Sequence, residues 1–87
     1  MTASDPYENV PTAMVYDTFA ETATRLSGYY NSLSNAAATP EERTRWWEKV
    51  MELRDTKRAV PAHDRARLIA HIEQWRLEIT RIKDARG

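Results

Sequence analysis

Apolar residues recur along the chain at spacings of three and four, which is the periodicity of a helix with one buried face. The first series forms a heptad seam, made of Tyr16, Phe19, Ala23, Leu26, Tyr30, Leu33 and Ala37. Two further seams follow, one with Trp46, Val50, Leu53, Lys57 and Val60, the other with Leu68, Ile72, Trp75, Ile79 and Ile82. No segment alternates apolar and polar residues as a half-buried strand does. The pattern predicts three helices and no sheet.

Cap and turn residues indicate where these helices begin and end. Thr39, with Pro40 after it and Glu42 three residues on, is typical of a capping box. In that motif the Thr39 hydroxyl accepts a hydrogen bond from the Glu42 amide, and the Glu42 carboxylate accepts one from the Thr39 amide. Pro61 ends the second helix, and Asp64 is the predicted N-cap of the third. The predicted helices span about 11–37, 40–59 and 64–85.

The connections between the predicted helices are short, which favours antiparallel neighbours. A chain of 87 residues suits one domain with one narrow core. We therefore predict an all-α fold, an antiparallel three-helix bundle in up-down-up order that takes in residues 1–87. Each helix of a closed bundle faces two others, so its apolar stripe is wider than a single seam. On that ground we place Trp47 and Ile69 in the core.

The composition is that of a soluble globular domain, with 41% apolar and 30% charged residues. The chain contains no cysteine, so it needs no oxidising compartment. Its N-terminus lacks the basic stretch and apolar run of a secretory signal, and no apolar run approaches the ~20 residues that span a bilayer. We expect a cytoplasmic protein without a membrane segment.

Charge is unevenly distributed, although the net charge is zero. Residues 1–38 carry four acidic residues and one basic residue, whereas the basic residues of the rest of the chain are interleaved with acids. Proteins that bind DNA or RNA usually present a basic stripe, because phosphate neutralisation supplies most of the affinity. The interleaving argues against a nucleic-acid partner. The weakest of our hypotheses is an accessory nucleic-acid binder that uses Arg65, Arg76, Arg81, Lys83 and Arg86.

The residue types that usually carry catalysis are present without the spacing that catalysis needs. His63 and His71 are eight residues apart, not the three or four of a helical metal pair. With only two glycines, Gly28 and Gly87, the chain has no glycine-rich phosphate loop. The serines lack a nucleophile-elbow motif and an evident base. We predict a protein that is not an enzyme and that has no catalytic residues, no metal site and no cofactor.

Among the apolar residues that lie off the seams, Met14, Met51 and Leu77 are the candidates for an exposed contact. Methionine is favoured at binding surfaces, and exposed apolar residues that cluster mark contact sites. One hypothesis is therefore a structural or self-assembling helical protein of a phage or mobile element, which forms a homodimer through these side chains. The alternative, that they pack internally, stays open on the sequence.

The second half of the chain, at about residues 46–80, resembles the epsilon antitoxins, the short three-helix partners of zeta toxins. The similar features are an apolar helix that ends in Lys57-Arg58, a short turn, and a capped helix that reads LIAHIEQWR at residues 68–76. The resemblance implies a protein that neutralises a P-loop kinase acting on a nucleotide-activated amino sugar. It also implies that the N-terminal helix lies over the nucleotide site of that kinase.

The first helix is also the acidic one, which agrees with such a role. Its candidate partner-binding residues are Tyr16, Asp17, Phe19 and Glu21. Carboxylates there would meet lysines and arginines that otherwise hold phosphates. Glu21 also lies four residues before Arg25, the favourable order for an ion pair on a helix. The leading hypothesis is an antitoxin that covers the nucleotide site of a zeta-type kinase with its first helix.

Overall fold

The computed structural model of the protein describes residues 7–86. Its three helices are α1 (Thr12–Ala36), α2 (Pro40–Ala59) and α3 (Arg65–Ala85). No strand occurs in these residues, so the predicted all-α fold is confirmed, and each helix end lies within one residue of its prediction. No helix in this part of the chain is long and apolar enough to cross a bilayer.

Both predicted N-caps are present. The Thr39 hydroxyl accepts from the Glu42 amide at 3.1 Å, and an Asp64 carboxylate oxygen accepts from the Arg67 amide at 3.3 Å. The reciprocal half of the capping box differs from the prediction, because the Glu42 carboxylate accepts from the amide of Ala38, not of Thr39. The carboxylate therefore ties down the connection just before the cap.

Hydrogen bonds between the helices fix their directions. The Arg65 guanidinium, at the start of α3, donates to the Val10 carbonyl at 2.7 Å and to the Thr12 hydroxyl at 3.3 Å, at the start of α1. Towards the end of α1, the Ser34 hydroxyl donates to the Arg43 carbonyl in the first turn of α2. The helices α1 and α3 are therefore parallel and α2 is antiparallel to α1, which is the predicted up-down-up order.

Helix α1 packs against both other helices, whereas α2 and α3, all of whose residues are described, nowhere approach within 8 Å at their Cα atoms. The Cα radius of gyration is 14.7 Å and the extents are 48 × 28 × 17 Å, compared with a radius of about 12 Å for a compact domain of this length. The helices α2 and α3 are therefore more widely separated than either is from α1. Their side chains still face each other, since Leu53 and Thr56 of α2 line a depression together with Trp75 of α3.

The prediction that Trp47 lies in the core is wrong. Its side chain is 51% exposed, because it lies on the side of α2 opposite Lys49 and Thr56, the residues that face α3. Ile69, which we placed in the core by the same argument, is half-buried and packs against it. On α2 itself only Val50 and Leu53 are buried.

The core lies mainly between α1 and α3. Its largest fully buried side chains are Phe19, Leu26, Leu68, Ile72 and Val15. The predicted α3 seam is confirmed, since all of its residues are buried. Near the far end of α1, the Tyr30 hydroxyl donates to a Glu78 carboxylate oxygen at 2.8 Å, while its ring stacks on Trp46 at a centroid distance of 5.9 Å. Tyr30 thus links α1 to both of the other helices.

Candidate binding surface

Helix α1 keeps one face free although it is the central helix. Its buried residues lie on the side that meets α2 and α3, and the opposite side forms a surface that we call the outer face. The exposed residues of the outer face are Met14, Asp17, Glu21, Thr24, Arg25, Gly28, Asn31, Ser32 and Asn35. The acidic residues of this face lie in its N-terminal half, so the negative charge of α1 is concentrated at one end of the molecule.

Asp17 and Glu21, two of the predicted site residues, are exposed one helical turn apart on this face. The ion pairs of the described residues are Arg67–Asp64 and Arg81–Glu78, so neither carboxylate is neutralised within this part of the chain. The ion pair that the spacing of Glu21 and Arg25 favoured is not formed. Both carboxylates are available to a cationic partner.

Tyr16 and Asp17 line a depression of about 440 Å³ at the start of α1. The other residues that line it are Thr12, Ala13, Ala62 and His63. Ala62 and His63 belong to the turn between α2 and α3, and reach α1 because that turn lies beside the start of α1. We call this feature the Asp17 depression. Its lining combines a carboxylate, an aromatic ring and small apolar side chains.

Phe19, the remaining predicted site residue, is fully buried. Its ring packs against Trp75 at a centroid distance of 5.0 Å and against Tyr16 at 5.8 Å. Phe19 therefore offers no surface to a partner in this fold, and we remove it from the predicted site. It supports Tyr16 from beneath instead.

His63 is the residue of the depression that sequence reasoning missed as a site residue. It is exposed in the turn and lines the same cavity as Asp17. Forty-six positions separate the two in the chain, and no local pattern joins them. Only the parallel arrangement of α1 and α3, which brings the turn to the start of α1, places them together.

The groups whose pKa is clearly displaced lie inside the bundle, away from this depression. Burial, reinforced by the hydrogen bond to Glu78, raises the pKa of the Tyr30 phenol well above its ordinary value. Burial, with a contribution from Arg67, lowers the pKa of His71. Among the described residues, no three histidine, aspartate or glutamate side chains converge as a metal site requires.

The exposed apolar residues do not form a single patch. Met14 is 56% exposed and Leu77 is 66% exposed, whereas Met51 is half-buried. Leu77 lies on the face of α3 opposite its buried residues, and that face points away from α1 and α2. Leu77 and Met51 therefore do not share a surface, and the homodimer stays a prediction.

Three of the five basic residues singled out on the third helix already have partners. Arg65 donates hydrogen bonds to the carbonyls of Val10 and Tyr7, in the segment just before α1. Arg76 donates to the Tyr7 hydroxyl at 2.9 Å, and Arg81 pairs with Glu78 at 3.2 Å. Arg65 and Arg76 thus link α3 to the segment before α1, while Arg81 pairs within its own helix, and these guanidiniums do not form a free basic stripe.

Comparison of the chain with protein-family models, curated proteins and solved structures finds no match. The resemblance to epsilon antitoxins therefore stays a prediction, and the function has to be argued from the surface itself.

Proposed function

We propose that this protein is a helical binding module that inhibits a partner protein, and that the outer face of α1 inserts into a basic site of that partner. The observation that carries the proposal is the pair of exposed carboxylates of Asp17 and Glu21 on the central helix, neither of which forms an ion pair with a described residue. The resemblance to epsilon antitoxins suggests the partner, a zeta-type kinase whose nucleotide site is lined by cations.

The Asp17 depression has the chemistry to hold one long cationic side chain. The alkyl stem of a lysine or arginine would pack along Ala13, Ala62 and the Tyr16 ring, while its charged head pairs with the Asp17 carboxylate. The aromatic ring adds a cation–π contribution. Glu21, one turn further along α1, would receive a second cation. Cations that are held in this way are no longer free to bind phosphates.

The position of α1 in the bundle supports binding as a rigid element. Because α1 packs on both α2 and α3, it cannot leave the bundle without exposing Phe19 and Leu26, which are buried. Its outer face is thus presented in a fixed geometry. A preorganised surface loses less conformational entropy when it binds, which suits a tight inhibitor.

The test is co-purification of the tagged full chain from the cells that express it, followed by measurement of affinity for the captured partner. We expect a kinase with a nucleotide site, and we expect excess ATP to compete with the chain. Asp17→Lys with Glu21→Lys should weaken binding by about 100-fold or more, since two charge-assisted contacts of about 1.5–3 kcal/mol each are reversed.

The matched control is Glu48→Lys with Glu52→Lys, an equally spaced pair of exposed acids on α2. This control should bind as the unaltered chain does. A partner without a nucleotide site would reject the antitoxin role. Equal losses in the two double variants would reject the outer face of α1 as the binding surface.

A further inference from the structure

A groove of about 350 Å³ runs between α1 and α2, apart from the Asp17 depression. Ala23, Val50 and Leu53 supply its apolar lining, and Ser27 and Gly28 form a low wall on the side of α1. We call it the α1–α2 groove. Its size is in the range of ligand and peptide pockets.

The charged residues that line the α1–α2 groove, Arg54 and Lys57, are both cations. No acidic residue contributes to the described lining, and neither cation forms an ion pair within the described residues. The acids in the middle of α2 lie on its other side. The groove is therefore electrostatically suited to an anionic occupant.

Trp47 lies beside the groove on α2, outside its lining. It is one turn before Val50 and two turns before Arg54, on the same side of the helix, and is 51% exposed. Large aromatic side chains near an apolar groove and a cation are typical of interface anchors. A helix that is seated in the groove and extends along α2 would cover Trp47.

Gly28 keeps the α1 wall of the groove low. No atom lies within 4 Å of the position that a Cβ at residue 28 would take, so the packing of the described chain does not require a glycine there. The open space allows the backbone of an incoming segment to approach α1 closely.

We propose that the α1–α2 groove binds an amphipathic helix of a partner protein. The apolar side chains of the partner helix contact Val50 and Leu53, and its carboxylates pair with Arg54 and Lys57. Helices commonly bind grooves between two helices in this way, through anchors spaced by three and four residues. The proposal does not depend on the Asp17 depression, which lies nearer the start of α1 and has other lining residues.

The probe is a synthetic helical peptide of about 18 residues, long enough to be helical in part on its own, with leucines at helical spacing and glutamates between them. It is titrated into the ¹⁵N-labelled full chain and followed by NMR. The amide of Gly28, one of two glycines, and the indole of Trp47 should shift. A peptide with lysine at every glutamate position should bind at least about tenfold more weakly.

Charge reversal tests the cations. Arg54→Glu with Lys57→Glu should weaken binding of the acidic peptide by about tenfold or more. Arg45→Glu, an exposed position on the same helix outside the groove, should leave it unchanged. Equal binding of the acidic and the lysine peptide, or equal losses in the two variants, would overturn the proposal.

Gly28→Leu tests the groove without threatening the fold, because the space at that position is open. It should abolish the Trp47 shift, while Asn35→Leu, on the outer face but outside the groove lining, should retain it. Retention of binding by Gly28→Leu would refute the proposal. So would a dimer in sedimentation that Gly28→Leu dissociates, since a second copy would then be the occupant.

Discussion

The imidazole of His71 lies against two aromatic rings of the core. Its centroid is 5.2 Å from that of Trp75 and 6.2 Å from that of Phe19, and its Nδ1 atom is buried without a hydrogen-bond partner among the described residues. Burial, and then the nearby Arg67 charge, lower its pKa. The folded state therefore favours the neutral imidazole.

This preference predicts that stability falls on mild acidification. The unfolded chain binds a proton at His71 below about pH 6.5, whereas the folded chain binds it only at lower pH. The free energy of unfolding should therefore decrease as the pH falls from about 6.5 towards the folded pKa. Urea denaturation at a series of pH values measures this loss.

The variant that isolates the effect is His71→Phe, which has no group to titrate and should lose less stability over the same interval. Gln74→Ala, an exposed change on the same helix that removes no titratable group, should keep the pH dependence of the unaltered chain. If His71→Phe and the unaltered chain lose stability equally, another group is responsible.

At the scale of the element, α1 is a 25-residue helix whose ends are tied down while its middle carries Gly28. The helix continues through this glycine although glycine is less favourable than alanine by about 1 kcal/mol in a helix interior. Nothing lies within 4 Å of the missing Cβ. Gly28 therefore lowers the stability of α1 although the packing around it does not require a glycine.

Gly28→Ala should stabilise the protein by about 0.5–1 kcal/mol, because alanine restricts the unfolded chain more and fits the open space. In a domain of this size that gain raises the melting temperature by about 2–8 °C, which thermal denaturation followed by circular dichroism can measure. Ser32→Ala, an exposed change on the same helix, should give a smaller increase. A lower melting temperature for Gly28→Ala would show that the space is not open.

The helices could be predicted from the sequence because the residue patterns that indicate them are local. The α3 seam and the Thr39 and Asp64 caps depend on residues a few positions apart, and the structure has them as predicted. The exposure of Trp47 depends on which sides of α2 the other two helices cover, and the spacing of residues within α2 does not contain that information. Phe19 was assigned to a seam and to a binding site at once, and burial decided between them.

At the scale of the molecule, the bundle is asymmetric. The pair α1 and α3 shares most of the fully buried side chains, among them Phe19, Leu68 and Ile72, whereas α2 adds mainly Val50 and Leu53. Regions with few buried apolar contacts open at lower free energy than the rest of a protein. The two proposed surfaces follow this asymmetry: the Asp17 depression lies where α1 meets the start of α3, and the α1–α2 groove borders the more weakly packed helix.

Two tryptophan truncations test this asymmetry directly. Trp75, on α3, is 7% exposed and packs on Phe19, so Trp75→Ala should cost about 3–5 kcal/mol. The free energy of unfolding of a domain of this length is only about 4–13 kcal/mol in total, and the variant should lose much of its helical signal in dilute urea.

Trp47→Ala removes a side chain that is 51% exposed and should change the free energy of unfolding by less than about 1 kcal/mol. Urea denaturation of both variants, followed by far-ultraviolet circular dichroism, gives the comparison. Similar costs would mean that Trp47 is more tightly packed than its exposure indicates, and a fully stable Trp75→Ala variant would mean that the buried face of α3 is not the one described.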